Sequence, residues 1–331
     1  FGNEIGVKLN SELDINSLVE KNYGNIILEI DEQTVLPSQN VRVIGYTTND
    51  DFISYKDESV KLCEAYNIYE NVLTSVYATK ALAPTNELIN KDCLERTKLH
   101  ADKYYDEVNV VIPVFPGTNC EYDSKRAFER AGAKVELVLI RNKTEEDIKN
   151  SINDLTKAIN KAQIMMIPGG FSAGDEPEGS GKFIATFLRN PEIKSAITDL
   201  MDNREGLMIG ICNGFQALIK LGLLPYGKIK DMDANDPTLT FNTIGRHVSQ
   251  MVETRISSVK SPWLANVNVG DIHTIPVSHG EGRFIAEDDV LKSLIENGQI
   301  ATQYVDLDGN ATDDIHFNPN NSMHAIEGIL S

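Results

Sequence analysis

The chain has 331 residues, enough for two domains or for one large domain with attachments. Its 31 Lys and Arg are outnumbered by 49 Asp and Glu, for a formal charge of −18. That balance repels phosphate backbones and excludes nucleic acid as a partner, and no run nears the roughly 20 apolar residues of a membrane helix.

Residues 1–50 carry two strand-like runs, "NIILEI" at 25–30 and "VRVIGYTT" at 41–48, around a polar loop with Pro37. This piece buries too little surface to stand alone and is expected to lean on another domain. From 51 to about 105 the apolar spacing is helical and the composition polar, which predicts a partly helical linker broken at Pro84.

From 106 the pattern becomes regular. "EVNVVIPVF" reads as a buried strand, "CEYDSKRAFERAG" as a helix closed by Gly132, "KVELVLI" as a strand and "TEEDIKNSINDLTKAINKA" as a helix. "QIMMIPGG" is a further strand, followed by a helical stretch interrupted at Pro191, the strand "GLMIGIC" and the helix "GFQALIKLG". Strands without polar alternation, separated by helices, predict an α/β domain with a doubly wound, mostly parallel sheet. "RHVSQMVETRIS", "DIHTIPVSHGEGRFIA" and "GQIATQYVD" read as antiparallel strands added to the same core, and 227–240 as a polar loop.

In such sheets ligands sit at the carboxyl ends of the strands. Three unusual loops fall there: Pro116–Asn119, Gly169–Ser172 and the turn at Cys212. Gly210-Ile211-Cys212-Asn213-Gly214, between strand and helix, is the cysteine form of a nucleophile elbow. Glycines two residues either side remove side chains from a sharp turn, and the following helix N-terminus favours thiolate. Cys212 is therefore the candidate nucleophile. Backbone N–H groups of Gly170, Phe171 and Asn213 are candidates for an oxyanion hole. Asn119 is a candidate N-cap, Cys120 is read as packing, and Gln216 as either a surface residue or a substrate contact. A base for Cys212 could come from His247, His273, His279, His316 or His324, none of them in a His-x-Glu pair. Cysteines without CxxC spacing argue against a structural metal site and for a reducing compartment, the cytoplasm.

"GICNGFQ", "IPGGFSAGDEPEGSG", "PVFPGTNCEYD" and "PVSHGEGRF" together resemble the class I (triad) glutamine amidotransferases, whose fold is flavodoxin-like. Within them, 106–331 is similar to the glutaminase region of large-type phosphoribosylformylglycinamidine synthases. "LVEKNYGNIILEI" is similar to the closing strands of the synthetase domain that precedes it there, which makes 1–50 an expected C-terminal remnant of that domain. The resemblance implies that Cys212 attacks the glutamine side-chain amide to give a glutamyl thioester and ammonia. Gly170, Phe171 and Asn213 would line the oxyanion hole, and Gln216, His279 and Glu281 would contact glutamine. Ammonia would pass to a synthetase domain of the same polypeptide, which uses ATP and magnesium to amidate formylglycinamide ribonucleotide in purine biosynthesis. The family's His-x-Glu follows the strand ending "GI". Here "HAIEGILS" reaches that strand and stops, so the triad His and Glu are not in this chain and the resemblance implies truncation and poor activity alone.

Two other readings compete. One is a non-catalytic docking module, a pseudo-glutaminase that keeps the fold. The other is a different cysteine α/β enzyme, since fold does not fix chemistry.

Overall fold

The computed structural model describes residues 5–36, 40–73, 88–96, 104–175 and 181–331. The chain divides into two compact units, Phe1–Lys80 and Ala81–Ser331.

The first unit holds β1 (Gly6–Leu9), the short α1 (Asn16–Val19), β2 (Gly45–Thr48), β3 (Phe52–Tyr55), β4 (Glu58–Lys61) and α2 (Leu62–Asn71). Its sheet has the order β2-β1-β3-β4, with β1 parallel to β3 and the other pairs antiparallel. Two expectations are corrected here. The run 25–30 is not a strand; Ile26, Ile27 and Leu28 are more than 70% exposed, and strand composition alone does not supply a neighbour to pair with. The sheet also runs across residue 50, so the segment expected to be linker contributes two strands to it; Pro84 lies outside the described residues.

The second unit opens its main sheet with β5 (Asn109–Val114), followed by α3 (Glu121–Arg130), β6 (Lys134–Leu139), α4 (Glu145–Lys161) and β7 (Ile164–Ile167). Then come α5 (Lys182–Leu188), α6 (Pro191–Thr198), β8 (Leu207–Gly210) and α7 (Asn213–Leu221). The order is β6-β5-β7-β8, all parallel. Alternate residues of β5 feed opposite layers. Val111 joins the core under α4, α5, α6 and α7, while Val110 and Ile112 pack with Phe128 of α3. Both faces are therefore covered, which is why these strands lack polar alternation. Thr144 caps α4 by accepting the Asp147 N–H, and Asn190 with Pro191 starts α6 where the sequence placed the interruption.

Beyond α7 lie the short α8 (Leu223–Tyr226), β9 (Thr238–Phe241), β10 (Val248–Ile256), β11 (Ile272–His279), β12 (Glu281–Ile285), α9 (Asp288–Glu296), β13 (Ile300–Val305) and β14 (Ile326–Ile329). They do not extend the parallel sheet. β11-β10-β13-β14 form one antiparallel sheet and β12-β9 a separate ribbon, with a core of their own that includes Phe284, Leu291, Leu294 and Ile326. Helix α7 joins the two cores, giving Leu218 and Leu221 to the first and Ile219 to the second.

The second unit also holds a strap upstream of its first strand. Cys93 N–H donates to Ser257 O, Arg255 pairs with Asp92, and Lys91 N–H donates to the Oε1 of the fully buried Gln303.

The loop 227–237 is tied down by a charged hub. Lys230 Nζ lies 2.9 and 2.8 Å from the two Asp236 carboxylate oxygens, and Tyr226 Oη donates to the same group at 2.5 Å. Burial alone would raise the Asp236 carboxyl, but Lys230, Tyr226 and the Asp233 N–H outweigh it and hold it below its ordinary value. Burial and Asp236 push the Tyr226 phenol up to about 12. The depressed carboxyl contributes stability above the ordinary Asp value of 3.8 that is lost as pH falls through its folded value. The raised phenol contributes stability below 10.0 that is lost as pH rises through about 12. Asp236→Asn is expected to lower stability by about 1–3 kcal/mol at pH 7 and to flatten the acid limb of a melting-temperature profile. An unchanged profile would refute the hub's role.

Candidate active site

The first strand of the parallel sheet, β5, connects to β6 on one side and the chain then returns to β7 on the other. The crevice at the carboxyl ends of β5 and β7 is the topological switch point. The loops after these strands meet there: Asn119 N–H donates to Gly169 O and Phe171 N–H to Gly117 O, both at 2.9 Å. Gly170 has φ +126°, and a Cβ there would sit 2.6 Å from Asn119 N, so only glycine fits.

Cys212 ends the neighbouring strand. Ile211 N–H still pairs with Ile167 O, after which Cys212 takes φ +54° and ψ −110° and α7 begins at Asn213. A non-glycine residue held there stores of order 1–3 kcal/mol and persists only where its surroundings fix it. The glycines on either side supply that fit. A Cβ on Gly210 would lie 2.6 Å from the carbonyl carbon of Gly214, and one on Gly214 would overlap the Ile167 carbonyl. The elbow thus needs both glycines to lay α7 directly on β7 and β8. Cys212 is left exposed, and a Cβ on Gly169 would come 3.3 Å from its Cβ and 3.8 Å from its sulfur. The loop Gly169–Ser172 therefore borders the nucleophile candidate.

A buried chain of hydrogen bonds ties the loops together. Ser172 N–H donates to Asn213 Oδ1, Asn213 Nδ2 donates to Gln216 Oε1 at 3.1 Å, and Gln216 Nε2 donates to the Glu281 carbonyl at 3.1 Å. Gln216 is 5% exposed, which decides between its two sequence readings against a surface residue. Gln216, Asn213 and the His279–Glu281 segment are thus brought to one place. Phe171 differs from expectation. Its N–H is committed to Gly117 O, because the two loops pair as a one-residue antiparallel bridge at Thr118 and Gly170. Asn213 follows Cys212 at the first turn of α7, and Gly170 follows Gly169, which borders the cysteine. Two smaller corrections concern the loop after β5. Cys120, not Asn119, occupies the N-cap of α3 with φ +68°, and Cys120 is exposed rather than packed.

His279 does not reach Cys212. Its Nδ1 hydrogen-bonds Asn242 Oδ1 at 3.2 Å, and its buried Nε2 has no partner. Burial pushes its pKa below the ordinary value, opposed by a backbone hydrogen bond and reinforced by His247. His247 contacts Ser278 Oγ and His316 contacts Asp314. Tyr304 is buried; burial first, then Glu327 and Cys212, pushes its phenol up. Among the described residues no cluster of three His, Cys, Asp or Glu is arranged to hold a metal ion, and no helix is long and apolar enough to cross a membrane.

Residues 107–331 match the CobB/CobQ-like glutamine amidotransferase domain family. Three relatives, each named phosphoribosylformylglycinamidine synthase subunit PurQ, illustrate the match. The protein from Salinibacter ruber is 32% identical over 66% of this chain and 80% of its own length. That from Sulfurimonas denitrificans is 34% identical over 68% and 84%, and that from Treponema denticola 37% identical over 65% and 79%. A match over two thirds of the chain, through every loop of the site just described, places this protein in the CobB/CobQ-like glutamine amidotransferase family.

Proposed function

We propose that the second unit is the glutaminase of a phosphoribosylformylglycinamidine synthase. The observation that carries this reading is the strained, exposed Cys212 beside Gly169, within a family of glutamine amidotransferases. Cys212 Sγ attacks the side-chain carbonyl carbon of glutamine, and the carbonyl oxygen gains charge against the N–H groups of Asn213 and Gly170. Collapse expels ammonia and leaves a glutamyl thioester, which water hydrolyses to glutamate and the free thiol. Gln216, His279 and Glu281 form the glutamine-binding side, held together by the bond from Gln216 to the Glu281 carbonyl. None of the five histidines after the elbow is assigned as base. The relatives' name supports an ammonia acceptor in purine biosynthesis, formylglycinamide ribonucleotide, amidated at an ATP- and magnesium-dependent synthetase site. In the large-type arrangement that synthetase belongs to the same polypeptide, with the first unit, which contains residues 1–50, its closing part. Cytoplasmic location accords with four free cysteines.

The test is mass spectrometry of the full-length protein after a glutamine-mimicking electrophile. A single adduct on the Cys212 peptide, blocked by excess glutamine, is expected. Labelling by peptide-mimicking electrophiles instead would favour another cysteine enzyme, and a folded protein that takes no label would favour the docking module.

A further inference from the structure

The ribbon β12-β9 carries the segment assigned above to glutamine binding, and among the described residues no strand pairs with the outer edge of β12. In place of a strand stands the turn Asn318-Pro319-Asn320-Asn321-Ser322. Asn320 Nδ2 donates to Gly282 O at 2.9 Å, Ser322 Oγ accepts the Phe284 N–H at 3.0 Å, and Arg283 Nε donates to Asn321 O at 3.1 Å. The two side chains also brace each other, Ser322 Oγ donating to Asn320 Oδ1 at 2.8 Å, while Asn320 Nδ2 contacts Tyr304 Oη at 3.3 Å. Gly282 O and Phe284 N are the edge groups that a third strand would have satisfied.

This turn is unusual in two independent ways. Asn318, Asn320, Asn321 and Ser322 are each no more than 2% exposed, although such residues ordinarily line surface turns. Asn321, His324 and Ala325 all have positive φ, between +50° and +60°, within five residues. Left-handed backbone at three non-glycine positions is costly and persists only where surrounding bonds over-determine it. Several of these bonds run to the bulge of β12 between Glu281 and Arg283, while Asn318 braces the turn from within and Gln303 Nε2 holds the His324 carbonyl. At that bulge the Glu281 carbonyl receives Gln216, and a Cβ on Gly282 would come 3.2 Å from Asn320 Nδ2 and 3.4 Å from the His279 ring.

We infer that Asn320 and Ser322 are positioning residues for glutamine: they act as a surrogate strand that fixes the bulge of β12 and, through it, Gln216 and His279. The inference rests on the glutaminase reading and adds to it residues that touch neither the nucleophile nor its oxyanion donors. An edge left unsatisfied would let the bulge relax. The loss would fall on substrate binding before it fell on chemistry at Cys212.

Steady-state glutamine hydrolysis by the full-length protein tests this, with Asn320→Ala, Ser322→Ala and Ser322→Thr beside wild type. KM for glutamine is expected to rise roughly tenfold in the two alanine variants, about the worth of one positioning hydrogen bond, with kcat within about threefold. Ser322→Thr keeps the hydroxyl and should restore a near wild-type KM. Unchanged KM in folded alanine variants, with losses confined to kcat and melting temperature, would overturn the inference and leave the turn purely structural. Ser322→Thr behaving as Ser322→Ala would overturn it equally. Should Asn320→Ala fail to fold, the two Ser322 variants carry the comparison alone. A wild-type protein that does not hydrolyse glutamine would instead sink the glutaminase reading itself, a result visible before any variant is compared.

Discussion

Cys212→Ser is expected to reduce glutamine hydrolysis by the full-length protein by about four orders of magnitude or more and to abolish the electrophile adduct. Serine preserves the size and the elbow geometry, so the loss would be chemical. The oxygen is a far weaker nucleophile at neutral pH, and the strained backbone at φ +54° would hold a hydroxyl where the thiol stood. Cys120→Ser is the internal control. Cys120 is also exposed and also sits at a helix start with positive φ, yet it belongs to the loop after β5 and not to the elbow. Rates and labelling should remain at wild-type levels there. Equal losses in the two variants, measured by glutamate release and intact-mass spectrometry, would remove Cys212 from the nucleophile's role.

The second large effect is on stability. Gly214→Val is expected to cost roughly 3 kcal/mol or more, at the upper end for overpacking, and to lower the melting temperature by about 6–12 °C. The clash is with backbone: the new Cβ would overlap the Ile167 carbonyl, whose strand lies in the middle of the sheet and cannot yield as a side-chain tip could. Gly214→Ala should move in the same direction, because the overlap begins at the Cβ itself, with valine's branching adding to it. Gly132→Ala provides the contrast: a Cβ there would meet nothing within 4 Å, and the φ of +90° makes the substitution a matter of backbone conformation alone. Thermal melts of the three variants would separate crowding from conformational strain. A Gly214→Val protein that melts within about 2 °C of wild type and retains its rate would refute the packing account of the elbow.

Much of the site is legible in the sequence because its signals are local. The elbow needs two glycines at fixed offsets from one cysteine, and the parallel strands announce themselves by apolar runs with no polar alternation. The interruption at Pro191 is written in the chain for the same reason. What the sequence conceals depends on partners far away in the chain. "NIILEI" has the composition of a strand, but composition does not say whether a neighbouring edge is present. Phe171 lies in the expected loop, yet only pairing with Gly117 determines where its N–H points. The turn 318–322 is the clearest case: Asn-Pro-Asn-Asn-Ser reads as a solvated loop, and its burial follows from Gly282 and Phe284, nearly 40 positions upstream. A dense group of short polar residues just before an apolar strand is the one local hint.

Helix α7 gives side chains to both cores of the second unit, and seven of its nine residues are buried. It is therefore a poor candidate for independent fraying. Neither core can open along this helix without exposing part of the other, so the elbow at its N-terminus is coupled to the cooperative unfolding of the whole unit. Loss of the geometry at Cys212 on heating then becomes a global event rather than a local one, and the working life of the site is governed by the unfolding barrier of the unit.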